Sequence, residues 1–320
     1  MNKQLSIWKL IAQSLQKNIA VILLYVLESN GSSPGRQGFF MAVNTAGEME
    51  GSIGGGIMEH KFVELAKEKL RSGNREPDFK KQVHDKSAVA EQSGMICSGD
   101  QSILIYPVSK KDTADILTLL TSLENNNIGS LRLTPGSLSF SSEIPATNYQ
   151  FSKQSETDWV YIEKTGYKNQ LFIIGGGHCS LALSKLMRGM DFYITLYEER
   201  EGLHTLLQNE FAHEVMIVDD YTALANLIPS GPNQFVVIMT VGYRTDAIAL
   251  RALLHKKFTY LGMLGSKNKM EKLLDEYRNE GINTDLLQHI QAPIGLAINS
   301  RTPEEIAVSI AAEIIKVKNG

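Results

Sequence analysis

Cysteine is almost missing from this chain of 320 residues: Cys97 and Cys179 are its two thiols, and they lie far apart. Such spacing gives neither a disulfide framework nor the four ligands of a structural zinc or iron–sulfur site, and it fits a reducing cytoplasm. A surplus of either charge is missing too. With 32 Lys and Arg against 35 Asp and Glu the net charge is -3, so no global field draws the chain to nucleic acid or to an anionic membrane, and neither is expected as a partner. Apolar runs long enough to cross a bilayer are also lacking. The nine residues 19–27 come nearest, but a spanning helix needs about 20. They follow a helical pattern with Leu5, Trp8, Ile11, Ala12 and Leu15 on one face and run toward a turn at Gly31 to Pro34, which reads as a buried strand rather than a signal-peptide core. No internal repeat, catalytic triad or metal-ligand spacing is present, and from Tyr167 onward there is no Tyr-x-x-x-Lys pair.

What is present suits two domains, at about 150 residues each, and the expected division is residues 1–150 and 151–320. In the first, a loop of small and polar residues (28–38) precedes a strand over 39–43, and the glycines Gly51, Gly54, Gly55 and Gly56 open a helix that runs to about Leu70. Such a turn can offer several N–H groups to an anion with the helix dipole behind them, or can simply be a close packing turn. Cys97 stands in a glycine-flanked turn before a strand at 102–108, either as an exposed thiol or as a small buried hydrophobe. A helix over 113–123 and strands at 131–133 and 138–140 complete a mixed α/β domain. The polar, aperiodic stretch 141–158, with Pro145, reads as a linker or excursion.

From Tyr167 onward strands at 171–174, 193–197, 215–218, 235–239 and 259–263 alternate with helices at 178–189, 202–210, 221–227, 245–256 and 267–279. This predicts a Rossmann-like doubly wound parallel sheet with crossover helices. Gly175 and Gly177 occupy the first two positions of G-x-G-x-x-G and Ser180 the third, at the turn where backbone amides approach a pyrophosphate. Glu198 and Glu199 follow about twenty residues later, where a ribose hydroxyl needs an acceptor. His178 lies inside the turn as a cap, a phosphate contact or a base. Two further strand ends are polar: residues 240–246, and residues 262–269, where Gly265 and Ser266 stand beside Lys267 and Lys269 as a second phosphate site or a solvated face. Thr302, Pro303 and Glu305 form a capping box ahead of an amphipathic helix that packs on the sheet.

Taken together, Gly31 to Pro34, Gly51 to Gly56 with Glu59, Gly94 to Cys97, Gly175 to His178, Leu261 to Ser266, and Ala292 to Leu296 with Thr302 to Ile306 resemble the XdhC/CoxI family, in order and over nearly the whole chain. The resemblance implies an N-terminal α/β domain and a C-terminal Rossmann domain in an accessory factor of molybdenum hydroxylases such as xanthine dehydrogenase. It further implies binding of the molybdenum cofactor (molybdopterin), protection of its sulfurated form, and delivery to a hydroxylase apoenzyme, with a cysteine desulfurase as a further partner and a homo-oligomer as the assembly. On that basis Gly54, Gly55 and Gly56 would take the cofactor's phosphate, with Glu59 at the turn. Ser32, Ser33 and Arg36 would close over it, and Cys97 would contact the molybdenum. Ile57, Ser98 and Val241 stand where relatives often have Cys, Gly and His, so a thiol pair at the cofactor is not expected. Two cysteines also exclude the chain's being a whole hydroxylase, whose two [2Fe–2S] clusters need eight ligands.

The leading expectation is thus a maturation factor without turnover of its own and without assigned catalytic residues, any metal arriving inside the cofactor. The alternatives are an NAD(P)-dependent oxidoreductase that holds the dinucleotide on Gly175, Gly177 and Glu198 or Glu199, and a nucleotide-sensing regulator.

Overall fold

A computed structural model describes residues 3–83, 99–282, 287 and 289–320. The chain divides into two compact units, Met1–Gly166 and Tyr167–Gly320. In the first, α1 (Lys3–Gln16), β1 (Val21–Gly31), β2 (Phe40–Asn44), β3 (Met49–Gly51), α2 (Gly56–Ser72), β4 (Asp78–Val83) and β5 (Gly99–Val108) precede α3 (Thr113–Glu124), β6 (Gly129–Leu133), β7 (Leu138–Ser141), β8 (Tyr149–Lys153) and β9 (Trp159–Thr165). The first five strands make an antiparallel sheet in the order β3-β2-β1-β5-β4.

The apolar run 19–27 is the centre of this sheet. Val21, Leu23, Tyr25 and Leu27 face a core shared with α1 and α3, while Ile22, Leu24 and Val26 face a second core with Met58, Phe62 and Ala66 of α2. A strand covered on both faces needs no polar alternation, which is why it reads as an unbroken hydrophobic stretch.

The remaining strands form a second antiparallel sheet, β7-β6-β9-β8. The stretch 141–158, read from the sequence as a linker, carries β8, and the first unit therefore continues past residue 150 to Gly166. β8 is an edge strand with one partner, which is why its residues are largely polar and exposed. Leu131, Leu133, Trp159 and Tyr161 of this sheet join the α1 and α3 core. There the Tyr25 and Tyr161 hydroxyls both donate to Glu163 Oε2, at 2.6 and 2.7 Å. Burial first, and the Glu163 carboxylate second, push both phenols well above their ordinary range, so they remain donors.

The second unit comprises β10 (Asn169–Ile174), α4 (His178–Met187), β11 (Phe192–Glu198), α5 (His204–Leu207), β12 (Glu214–Ile217), α6 (Leu224–Leu227), β13 (Gly231–Ile238), α7 (Tyr243–Leu253), β14 (Phe258–Met263), α8 (Lys267–Asn279), β15 (Ile290–Gln291) and α9 (Pro303–Asn319). Its strands are all parallel, in the order β12-β11-β10-β13-β14-β15. The chain winds one way from β10 and then the other, so the order reverses between β10 and β13, the switch point at which doubly wound sheets take ligands. Leu171 and Ile173 face a core with α4 and α9, and Phe172 and Ile174 face one with α7 and α8.

The helix expected over 202–210 is the single turn α5. Asn209 stops it, because its Oδ1 accepts from the amides of Phe211 and Ala212 at 3.3 and 3.1 Å, a side-chain bond that competes with the helical ladder. Among the described residues no helix is long and apolar enough to cross a membrane.

Candidate functional site

At the end of β10, Gly175 has φ +105 and a Cβ there would lie 2.4 Å from Met239 O, so glycine is demanded by the fold where β10 and β13 meet. Ser180, fully buried at the motif's third position, closes the turn by donating from Oγ to Gly175 O. Gly177 differs in kind. It is the N-cap of α4 with φ -76 and no side-chain cap, and a Cβ added to it would meet nothing within 4 Å. Gly242, the N-cap of α7 on the other side of the switch point, is likewise uncapped, with nothing within 4 Å of an added Cβ. Two helix N-termini with amides open to an approaching anion thus flank the reversal between β10 and β13. His178 is exposed at the first turn of α4.

Glu198, one of the two residues read as ribose acceptors, is occupied by the protein. It is 1% exposed; Oε2 accepts from Gly176 N at 2.6 Å and Arg200 Nη2 at 2.9 Å, and Oε1 accepts from Arg200 Nε at 2.8 Å and from the amides of Glu199 and Arg200 at 3.0 and 3.1 Å. Burial alone would raise its pKa, but the Arg200 guanidinium and these backbone amides outweigh burial and hold the carboxyl below its ordinary value. Its lone pairs are filled by groups that fasten β11 to the glycine turn. Glu199 is half-buried and holds the Tyr221 amide at 3.0 Å through Oε1 alone.

The other two polar strand ends are tied to one another by residues whose roles the sequence left open. Asp246, 1% exposed on α7, accepts from the Thr240 amide at 2.9 Å and the Thr240 hydroxyl at 2.6 Å, and its second oxygen pairs with Lys269 Nζ, which also donates to Leu264 O at 3.2 Å. Lys269, read as a phosphate ligand or a solvated charge, is therefore the brace between the turns after β13 and β14. Ser266 accepts from the Lys269 amide at 3.3 Å as the N-cap of α8, and a Cβ on Gly265 would meet Lys269 Cδ at 2.8 Å. Asp246 and Lys269 lie 23 residues apart, and only the pairing of β13 with β14 brings them together.

In the first unit, the loop of Ser32, Ser33 and Arg36 and the Gly54 turn do come together. A Cβ on Gly54, at φ +128, would lie 2.4 Å from Gly35 N, and one on Gly35 would lie 2.0 Å from Ile53 O. Ser33 is buried with its hydroxyl on Gly35 O at 2.9 Å, and the exposed Arg36 reaches back to Gly31 O at 2.8 Å. Ser32 is exposed at the loop, and a Cβ on Gly99 would come within 3.0 Å of its amide. Gly54, Gly55 and Gly56 all have positive φ, which glycine adopts without steric cost; the Gly54 amide is taken by Ser52 Oγ at 3.1 Å, while those of Ile53 and Gly55 meet at one acceptor. The anion at that point is the chain's own: Glu59 Oε2 accepts from Ile53 N at 2.8 Å, Gly55 N at 3.0 Å and Ser52 Oγ at 2.6 Å. Cys97 lies outside the described residues.

Cys179 is a free thiol on α4, and burial, with Glu304 nearby, pushes its pKa up. Among the described residues no group of three or more His, Cys, Asp or Glu side chains is placed to hold a metal ion.

A family model described as the XdhC Rossmann domain matches residues 171–314, and one described as the XdhC and CoxI family matches residues 14–80. The chain belongs to the XdhC and CoxI family. Its second unit is the family's Rossmann domain, with the switch point described above. The uncharacterized protein YqeB of Escherichia coli K12 is 25% identical over 307 residues, 95% of this chain and 44% of YqeB. A probable xanthine dehydrogenase subunit from Bacillus subtilis is 26% identical over 163 residues, 51% of this chain and 47% of that protein. The chain thus spans less than half the length of these curated relatives. A crystal structure described as a xanthine dehydrogenase from Bacillus halodurans superposes on 99% of this chain and 96% of its own, with a TM-score of 0.73 at 21% identity, and so shares the fold.

Proposed function

We propose that this protein is an accessory factor of a xanthine dehydrogenase-type molybdenum hydroxylase, binding the molybdenum cofactor in its first unit and assisting the cofactor's protection and insertion. Family membership and the name of the Bacillus subtilis relative support the association with such an enzyme. The observation that carries the binding role is the amide cradle of the Gly54 to Gly56 turn, which already holds a carboxylate, that of Glu59, on Ile53 N and Gly55 N. A turn that binds a carboxylate oxygen suits a phosphate oxygen equally, since both accept from the same donors.

On this reading Gly54, Gly55 and Gly56 hold the molybdopterin phosphate in competition with Glu59, and the loop of Ser32, Ser33 and Arg36 covers it. Bound there, the group supplies the molybdenum centre that the hydroxylase uses. This chain's own residues bind and orient it and shield it from water.

The uncapped glycines Gly177 and Gly242 support a nucleotide-type ligand, NAD(P) or another, at the switch point of the second unit. Glu199, with one oxygen on the Tyr221 amide, is better suited than Glu198 to accept from a ribose hydroxyl. A purified chain titrated with molybdenum cofactor, and separately with NAD and NADP, tests both readings. Cofactor binding together with increased activity of a cofactor-deficient hydroxylase is the expected result. Tight NAD binding with substrate-dependent reduction, and no cofactor bound, would sink the accessory-factor reading.

A further inference from the structure

We propose that the first unit carries a separate binding site for a small organic anion with an apolar body, in a cavity of about 510 Å3 at the end of the sheet away from the Gly54 turn. The cavity borders the start of β1 and the end of β5. The Ser32 to Arg36 loop follows the other end of β1, 11 residues along, so at about 3.3 Å per residue the two places are roughly 30 Å apart.

The cavity has two chemically distinct parts. Its wall is apolar and anchored, built from Leu15, Ile19, Pro77, Val108 and Pro135, with Val108 only 2% exposed. Its rim is cationic: Arg75, Lys110 and Lys111 stand against one lining carboxylate, Glu76. Lys111 Nζ is fixed on Gly136 O at 2.7 Å, whereas Arg75 and Lys110 make no ion pair among the described residues. Asp112, next in the chain after Lys111, is buried and accepts from Tyr106 Oη at 2.9 Å and from the amide and hydroxyl of Ser109 at 2.8 and 3.0 Å.

Two uncommitted cations at the mouth of a partly apolar hollow, which Asn18, Tyr106 and Ser109 also line, recognise an acidic head group attached to a hydrophobic or planar body. The volume falls inside the range of roughly 300–1,000 Å3 typical of small-ligand sites. A carboxylate, sulfonate or phosphate ester would satisfy the rim alike, because each offers charged oxygens to a guanidinium and an ammonium.

Fluorescence titration of the full chain with anilinonaphthalene sulfonate tests the site, with neutral phenylnaphthylamine as the uncharged counterpart. One saturable sulfonate site per chain is expected. It should weaken by at least about tenfold when Arg75→Gln and Lys110→Gln are combined, and remain unchanged in Arg36→Gln. Both replaced side chains are exposed, so the fold is retained. Binding that does not saturate, affinity unaltered in the double variant, or equally tight binding of the neutral amine would each overturn the proposal.

Discussion

The two glycines of the β10 to α4 turn separate at the scale of single residues into one that the fold requires and one that it does not. Gly175→Ala sets a Cβ against Met239 O at a backbone angle foreign to L residues, and should lower the stability of the second unit by about 2–4 kcal/mol. Gly177→Ala meets open space at an ordinary φ; it should leave the urea midpoint nearly unchanged while weakening any ligand held on the α4 amides. Calorimetric titration with nucleotide beside urea unfolding checks both. His213 gives a pH prediction. Its Nδ1 accepts from the Ile194 amide at 2.9 Å, and its ring lies against Tyr167 and Tyr193. Burial, reinforced by Arg188, lowers its pKa from 6.5 to about 4. The unfolded chain therefore takes up that proton first, and stability falls as pH drops from the ordinary value toward the folded one, by at most about 3 kcal/mol. Urea unfolding at both ends of that window should show His213→Gln losing less stability on acidification than the unmodified protein; equal losses would contradict this.

For whole elements, legibility followed the range of the interactions that define them. The capping box before α9 is local, with Thr302 Oγ1 accepting from Glu305 N at 3.2 Å and Glu305 Oε2 accepting from Thr302 N at 3.1 Å, and it stands where the sequence puts it. Thr302→Ala should cost about 1 kcal/mol, read as a lowered thermal midpoint. β1 was legible because a strand buried on both faces is apolar throughout. β8 was not, since an edge strand can be almost wholly polar and then resembles a loop. The sequence offered Glu198 and Glu199 as equivalent acceptors; they diverge because Glu198 ends β11 beside the glycine turn, where Gly176 N and Arg200 fill its oxygens. The Asp246 to Lys269 brace had no local pattern to reveal it.

Across the whole molecule, the hydrophobic clusters respect the division at Gly166. Those of the first unit draw on residues up to Tyr161, and those of the second begin at Leu171. Each unit therefore has the burial it needs to fold by itself. A fragment of residues 167–320 should show the far-ultraviolet dichroism of an α/β protein and a single cooperative urea transition; a molten, uncooperative fragment would contradict this.

The sequence by itself determined the parallel α/β alternation of the second half, the glycine turns and the apolar faces, because each follows from backbone sterics or from a period of a few residues. Tertiary structure alone decided which partner each polar group meets, and so which must be displaced by a ligand. Glu59 fills the first cradle, Glu198 is locked beneath the second, and Lys269 is drawn to Asp246. In each case the free energy of a buried or cradled charge depends on its neighbours in space, and the pattern along the chain does not encode them.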